Sequence, residues 1–292
     1  MKLSVLMAAI LLTATGAQAA DTLAKIAAAN KITMAYRESS VPFSYLDGPS
    51  KPIGFSVDLS NAIAAEVKKK LNKPNLEVSW MAVTSQNRIP LLQNGTVDVE
   101  CGSTTNNSAR GKDVSFAINH FYTGTRLLVK TNSGIKNYAD LKGKKVAITT
   151  GTTNMLVVRK YNEDKKLDID IVSAKDHADA LLLVESDRAS AFAMDDILLY
   201  GLRSNSKSPA SLEVVGDALQ VEPYACMLPK DDPQFKALVD GVIVGLMKSG
   251  EFEKLYNKWF LGPIPPKGLP VGLPLSDELR ENIKTPSDKP AT

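Results

Sequence analysis

Two histidines and two cysteines among 292 residues leave little material for metal or redox chemistry. His120 and His177 fall in no H-E-x-x-H or other metal-ligand spacing, and Cys101 and Cys226 are too far apart for a CxxC motif, so neither a metal nor a cofactor is expected. Also missing are a G-x-S-x-G elbow, a P-loop and a G-x-G-x-x-G turn, which argues against an enzyme without excluding one. Charge of one sign is scarce: 35 Lys+Arg against 32 Asp+Glu gives 35 − 32 = +3. Nucleic acid, which needs a concentrated basic face, is therefore not an expected partner. The longest apolar run, Leu3 to Leu12, is far shorter than the roughly 20 residues needed to cross a bilayer. What is present is 44% hydrophobic and 23% charged, the balance of a globular protein rather than a disordered chain. At about 150 residues per domain, the length leans towards two domains.

The N-terminus reads as an address. Lys2 supplies a positive start, Leu3–Thr13 an apolar stretch, and Ala17-Gln18-Ala19 a small-x-small site, which together describe a secretory signal peptide over residues 1–19. Cleavage between Ala19 and Ala20 would leave 292 − 19 = 273 residues and place the chain in the periplasm. In an oxidising compartment Cys101 and Cys226 most simply form one structural disulfide, two buried free thiols being the alternative.

Helical and strand periods alternate along the rest. Val57–Leu71 has Ile63, Val67 and Leu71 on one face and Lys68–Lys70 on the other, an amphipathic helix. Lys31–Tyr36, Leu76–Met81, Val97–Cys101, Arg126–Lys130, Lys145–Thr149, Ile169–Ser173 and Ala191–Met194 read as strands, and Glu222–Cys226 is strand-like. Ile89–Gln93, Met155–Tyr161, Ala178–Glu185, Phe235–Met247 and Phe252–Phe260 read as helices, the last with Phe252, Leu255, Tyr256, Trp259 and Phe260 as a core face. Leu91–Gly102 and Leu182–Asp195 share one order of helix, polar turn and buried strand, a weak internal echo that suggests two similarly wound lobes. The alternation predicts an α/β protein with mainly parallel sheets covered by helices. Prolines 263, 265, 266, 270 and 274 predict an extended tail from residue 262 with no regular element.

Three polar segments follow strands and are expected to open helices: Thr84–Arg88, Gly102–Asn107 with Arg110 beyond it, and Thr149–Asn154. A helix start offers unpaired N–H groups and a positive dipole end, hydroxyls add donors, and Arg88 and Arg110 add planar clamps for a carboxylate. Any one segment could be ordinary Ser/Thr capping, but three together favour an anion site. Asp195, closing the strand Ala191–Met194, suits an ammonium group in the crevice of an open α/β sheet. Asp196 reads equally well as a helix N-cap.

Arg37–Tyr45, Thr84–Gly95, Glu100–Asn107, Ser173–His177, Met194–Asp196 and Asn257–Phe260 with Pro263–Pro266 resemble the periplasmic glutamate/aspartate-binding proteins of ABC amino-acid importers, solute-binding protein family 3. The resemblance spans nearly the whole mature chain. It implies the type II two-lobe fold, a Venus flytrap of two α/β lobes joined by two crossover strands and closing like a hinge. Lobe 1 is then residues 20–122 plus 224–292 and lobe 2 residues 123–223, with both cysteines in lobe 1, which favours the disulfide. Implied partners are L-glutamate, L-aspartate and the membrane permease of an importer, with the protein itself a monomer. The alternative is an enzyme on the same scaffold, a cyclohexadienyl dehydratase-like protein using His177 or Glu38 as acid or base.

Carried over position by position, the resemblance puts Arg110 on the α-carboxylate, helped by backbone N–H groups of Thr105 and Thr153, and Asp195 on the α-ammonium. Arg37, Ser85, Arg88, Ser103 and His177 then surround the side-chain carboxylate, with Thr152 a less certain neighbour of Thr153. One departure falls at Asp187, where relatives commonly carry a turn glycine. Arg37, Arg88 and Arg110 against Asp195 leave about +2 with His177 neutral, matching an acidic side chain. Glutamine would leave a buried arginine unpaired, at about 3–5 kcal/mol.

Overall fold

The computed structural model describes residues 21–49 and 51–291. The expected signal peptide and its cleavage site lie outside the described residues.

The first stretch of chain runs α1 (Thr22–Ala29), β1 (Lys31–Tyr36), a small meander β2 (Ser39–Ser40), β3 (Ser44–Leu46) and β4 (Pro52–Ile53), then α2 (Phe55–Lys70). It continues through β5 (Glu77–Ala82), α3 (Arg88–Gln93), β6 (Val99–Glu100) and β7 (Ser115–Thr123). The second stretch is β8 (Thr125–Lys130), β9 (Lys145–Thr149), α4 (Thr153–Lys165), β10 (Asp170–Ala174), α5 (His177–Glu185), β11 (Ala191–Asp195), α6 (Asp196–Asn205) and β12 (Leu212–Val215). The chain then returns through β13 (Glu222–Leu228) to α7 (Pro233–Ser249), α8 (Glu251–Tyr256) and α9 (Asp277–Lys284).

Two five-stranded sheets result, in the orders β5-β1-β6-β13-β7 and β10-β9-β11-β8-β12. Each is parallel at one side, where strand–helix–strand crossovers feed it, and antiparallel where the connecting strands enter. The two sheets are the two lobes of a type II binding-protein fold. The chain passes between them at Gly124, from β7 to β8, and again between Val215 and Glu222. Gly124 sits against the second connection: a Cβ there would lie 2.3 Å from the Gln220 carbonyl oxygen.

Phe43 anchors the first core, packing edge-on against Phe55, Phe121, Tyr224 and Phe260, all fully buried or nearly so. The same apolar cluster continues through Val41 into Ile197, Leu198 and Leu199 of α6 in the second lobe. Glycine at 201 makes that approach possible, since a Cβ would stand 2.2 Å from the Val41 carbonyl oxygen. Cys101 and Cys226 are bonded at the end of β6 and within neighbouring β13, so the disulfide lies inside one lobe.

Several sequence expectations are corrected. The tail is not without regular structure: beyond the prolines, Ser276 caps α9 by accepting from the Leu279 N–H, with Asp277 and Glu278 in the first turn and Lys284 in the last. The pattern was hidden because prolines flank the helix on both sides, at 274 and 286, and only Leu279 and Asn282 of it are buried. The stretch Gly102–Asn107 opens no α-helix; it runs extended along β13 and ends in a 3-10 turn at Arg110–Lys112. The expected helix Phe252–Phe260 winds into a π turn at Asn257–Leu261 while keeping Phe252, Tyr256, Trp259 and Phe260 buried. Asp187 adopts φ +59, the left-handed region where glycine is the usual occupant and aspartate is tolerated.

Candidate functional site

The strand ends at the mouth between the lobes deliver the side chains. Arg37 follows β1, Ser103 and Thr105 follow β6, and Asp195 ends β11. Helix starts deliver the rest: Arg88 opens α3, Thr153 opens α4 behind its N-cap Thr152, and His177 opens α5 behind its N-cap Asp176. Ser85, Arg88, Ser103, Thr105, Arg110, Thr152, Thr153, His177 and Asp195 line one cavity together with Asn154, Met194 and Leu198. Arg37 stands behind this lining and reaches it through His177. Larger grooves, of about 280 to 600 Å³, lie elsewhere among the described residues, and none of these gathers the same side chains. The cavity measures about 10 Å³, room for one water and less than an amino acid.

At one end the donors are guanidinium groups. Arg37 is fully buried and donates from Nη2 to Asp176 Oδ1 at 2.9 Å, with His177 Nε2 at 3.3 Å. Arg88 donates from Nη1 to the Ser103 carbonyl at 3.1 Å and stands 4.0 Å from Glu100 Oε1. Burial, outweighing Glu100 and reinforced by Arg110 and Arg37, lowers the Arg88 guanidinium to about 9, still cationic at neutral pH. Arg37 Nε and Nη1, Arg88 Nε and the Ser85 hydroxyl are buried without a hydrogen-bond partner. His177 is held by Thr149 Oγ1 at 2.9 Å on Nδ1, and burial beside Arg37 and Arg88 pushes its pKa down to about 3, so the ring is neutral.

At the other end Arg110 donates from Nη1 to the Thr105 carbonyl at 3.0 Å and from Nη2 across the cleft to the Gly151 carbonyl at 3.3 Å. Asp195 accepts from Asn154 Nδ2 at 2.8 Å on Oδ1 and from the Tyr224 hydroxyl on Oδ2. Burial and the neighbouring Glu222 raise the Asp195 carboxyl to about 7. The N-cap of α6 is Asp195 rather than Asp196; Asp196 instead accepts from the Thr123 hydroxyl and the Ile197 N–H.

Sequence reasoning missed three carboxylates. Glu222, on the returning connection, accepts through Oε2 from Thr105 Oγ1 at 2.9 Å and Thr153 Oγ1 at 2.7 Å, one hydroxyl from each lobe. Glu100 and Asp176 are the others. Adding them corrects the charge count: Arg37, Arg88 and Arg110 give +3, and Asp176, Glu100, Asp195 and Glu222 give −4, so the surplus of +2 becomes 3 − 4 = −1. Asp176 adjoins His177 in a stretch already singled out, so proximity could have flagged it. Glu100 opens the singled-out stretch Glu100–Asn107 and could have been flagged in the same way, whereas for Glu222 no sequence signal distinguishes a buried carboxylate from a surface one. What favours an anion here is not bulk charge but unpaired N–H donors, each costing about 1–3 kcal/mol until something accepts from them.

Glu38, the second residue of the enzyme alternative, is exposed and lines no part of the cavity.

Residues 32–262 match the bacterial extracellular solute-binding proteins, family 3. The chain is 53% identical over 271 residues to the glutamate/aspartate import solute-binding protein of Escherichia coli K12, covering 93% of this chain and 90% of that one. It is 50% identical to the L-glutamate/L-aspartate-binding protein of Pseudomonas aeruginosa, over 92% of this chain and 90% of that one. Among solved structures, a mutant of the T. maritima protein ArgBP superposes with a TM-score of 0.72 at 27% identity, covering 82% of this chain and 99% of its own.

Proposed function

The chain belongs to the bacterial extracellular solute-binding proteins of family 3, and from that membership and the chemistry of the cleft we propose that it captures L-glutamate and L-aspartate for a membrane ABC importer. It works outside the inner membrane, as a monomer with no cofactor. Lobe 1 comprises residues 20–122 and 224–292 and lobe 2 residues 123–223, pivoting where the chain crosses between them. Arg110 and the backbone N–H groups of Thr105 and Thr153 take the α-carboxylate, and Asp195 takes the α-ammonium. Thr153 is the first residue of α4, so its N–H has no acceptor within the helix.

The observation that carries this reading is the pair of buried, unpartnered donors on residues lining the cavity, Arg88 Nε and the Ser85 hydroxyl. A second carboxylate satisfies them; a neutral amide meets them only with one oxygen and leaves a charge unpaired. Glutamate and aspartate differ by one methylene, about 1–3 kcal/mol, so one site serves both. Closure over the bound amino acid is the population shift an importer can read. Calorimetric titration with L-glutamate is the test, with an expected Kd of roughly 0.1–10 μM. Absence of both heat and thermal shift with glutamate and aspartate would reject it.

A further inference from the structure

The loop that carries Thr105 and Arg110 is the middle rung of a three-segment ladder. On one side it pairs with β13: the Asn106 N–H donates to the Pro223 carbonyl at 2.8 Å and the Ala225 N–H to the Thr104 carbonyl at 3.1 Å. On the other side it pairs with the end of the chain: the Ala291 N–H donates to the Asn106 carbonyl at 2.9 Å and the Ser108 N–H to the Ala291 carbonyl at 3.3 Å. This outer segment lies beyond α9 and beyond the family's matched residues.

Three asparagines, each at most 3% exposed, lock the segment in place. Asn106 Nδ2 donates to the Asp288 carbonyl at 2.8 Å and to Asn119 Oδ1 at 3.0 Å. Asn119 donates from Nδ2 to the Lys289 carbonyl at 2.9 Å and from its backbone N–H to the Ser287 carbonyl at 3.0 Å. Asn282 donates to the Asn119 carbonyl at 2.6 Å and accepts from the Ser287 N–H at 3.0 Å. Lys236 pairs with Asp288 at 2.9 Å. From the ladder the order passes inward: Asn107 Oδ1 accepts from the Arg110 N–H at 2.9 Å, and the Arg110 guanidinium donates to the Thr105 carbonyl.

We propose that the strap Pro286–Ala291 is a positioning element that holds the Thr105–Arg110 loop ready for the α-carboxylate of the ligand. No strap residue lines the cavity, so it acts through Arg110 and Thr105 and not by contact. Without it the loop becomes an edge, its Asn106 carbonyl and Ser108 N–H are left to water, and ordering Arg110 falls on the ligand's binding energy. The proposal rests on the assignment of Arg110 to the α-carboxylate. Because the strap touches no residue of the side-chain end, its loss weakens glutamate and aspartate alike.

The test compares the full chain with one ending at Thr285 and with Asn106→Ala, by amide hydrogen exchange without ligand and by calorimetry with both amino acids. Expected are faster exchange at Thr105–Arg110 and at Asn119, whose N–H loses the Ser287 carbonyl, and a fall in affinity of about fivefold to thirtyfold for both ligands, their ratio unchanged. Asn106→Ala, which keeps the chain intact, moves both readouts the same way by less. Unchanged exchange in the loop, a looser loop with full affinity, or acceleration spread evenly through the first lobe would each overturn the proposal. If the full chain binds neither amino acid, the proposed function fails and the exchange comparison alone decides on the strap.

Discussion

Asp195 lies between Asn154 and Tyr224 with its carboxyl raised to about 7 by burial and by Glu222. An ammonium ligand favours the ionised form, so protonation competes with binding: affinity for glutamate should fall about tenfold between pH 8 and pH 6. Asp195→Asn should bind weakly with no such pH dependence. A carboxyl raised in the fold above its unfolded value is harmless below about pH 4 and destabilising once pH has risen through 7. The same variant should therefore melt about 2–4 °C higher than the parent at pH 8 without ligand. Arg88→Ala should weaken glutamate by about a hundredfold and glutamine by under tenfold, because the proposed function sets Arg88 against the side-chain carboxylate. Arg110→Ala should weaken both, and equal losses in Arg88→Ala would show the two ends misassigned. His120, fully buried beside Phe43 and Phe55, is pushed down to about 3 by burial, so the folded ring stays neutral. Stability is unaffected above about pH 6.5 and declines as the unfolded ring protonates below it. Denaturant titrations should show His120→Phe recovering about 2 kcal/mol of the parent's loss between pH 7 and pH 5.

At the level of elements, the disulfide ties the end of β6 to β13 across 125 residues of chain, with both partners in the first lobe. Replacing both cysteines by alanine should cost about 2–5 kcal/mol in chemical unfolding and leave glutamate affinity within about threefold, since no motion between lobes is tied to the bond. Most helices and strands were legible because their apolar periods are regular, as in α2 and β9. β7 was not legible: Ser115–Thr123 buries Asn119 and His120 among its apolar residues, which breaks the alternation. α9 was masked by the prolines around it, and β6 is only Val99–Glu100, shorter at both ends than its apolar run. Of the site, arginines and hydroxyls at strand and helix ends could be read, since chemistry and position coincide in the sequence. Glu222 could not, because it meets Thr105 from 117 positions away and Thr153 from 69, through a connection whose course only the fold determines.

The whole molecule is two lobes in contact across the site, through Arg37–Asp176, Arg110–Gly151 and the packing of α6 on Val41. Gly201→Ala separates closure from folding. In α6 alanine is the better helix former by about 0.5–1 kcal/mol, yet its Cβ would stand 2.2 Å from the Val41 carbonyl when the lobes meet. Glutamate affinity should drop by about tenfold or more with no loss of ligand-free melting temperature; full affinity would show that the lobes do not close along this contact. The apolar cluster that runs unbroken from Phe43 and Val41 into Leu198 and Leu199 has a further consequence. In the proposed function, parting and closing would wet and dry this hydrocarbon, so the heat capacity should fall on capture and the reaction should grow more exothermic as temperature rises. A protein whose two halves met only through ion pairs would lack that thermal signature.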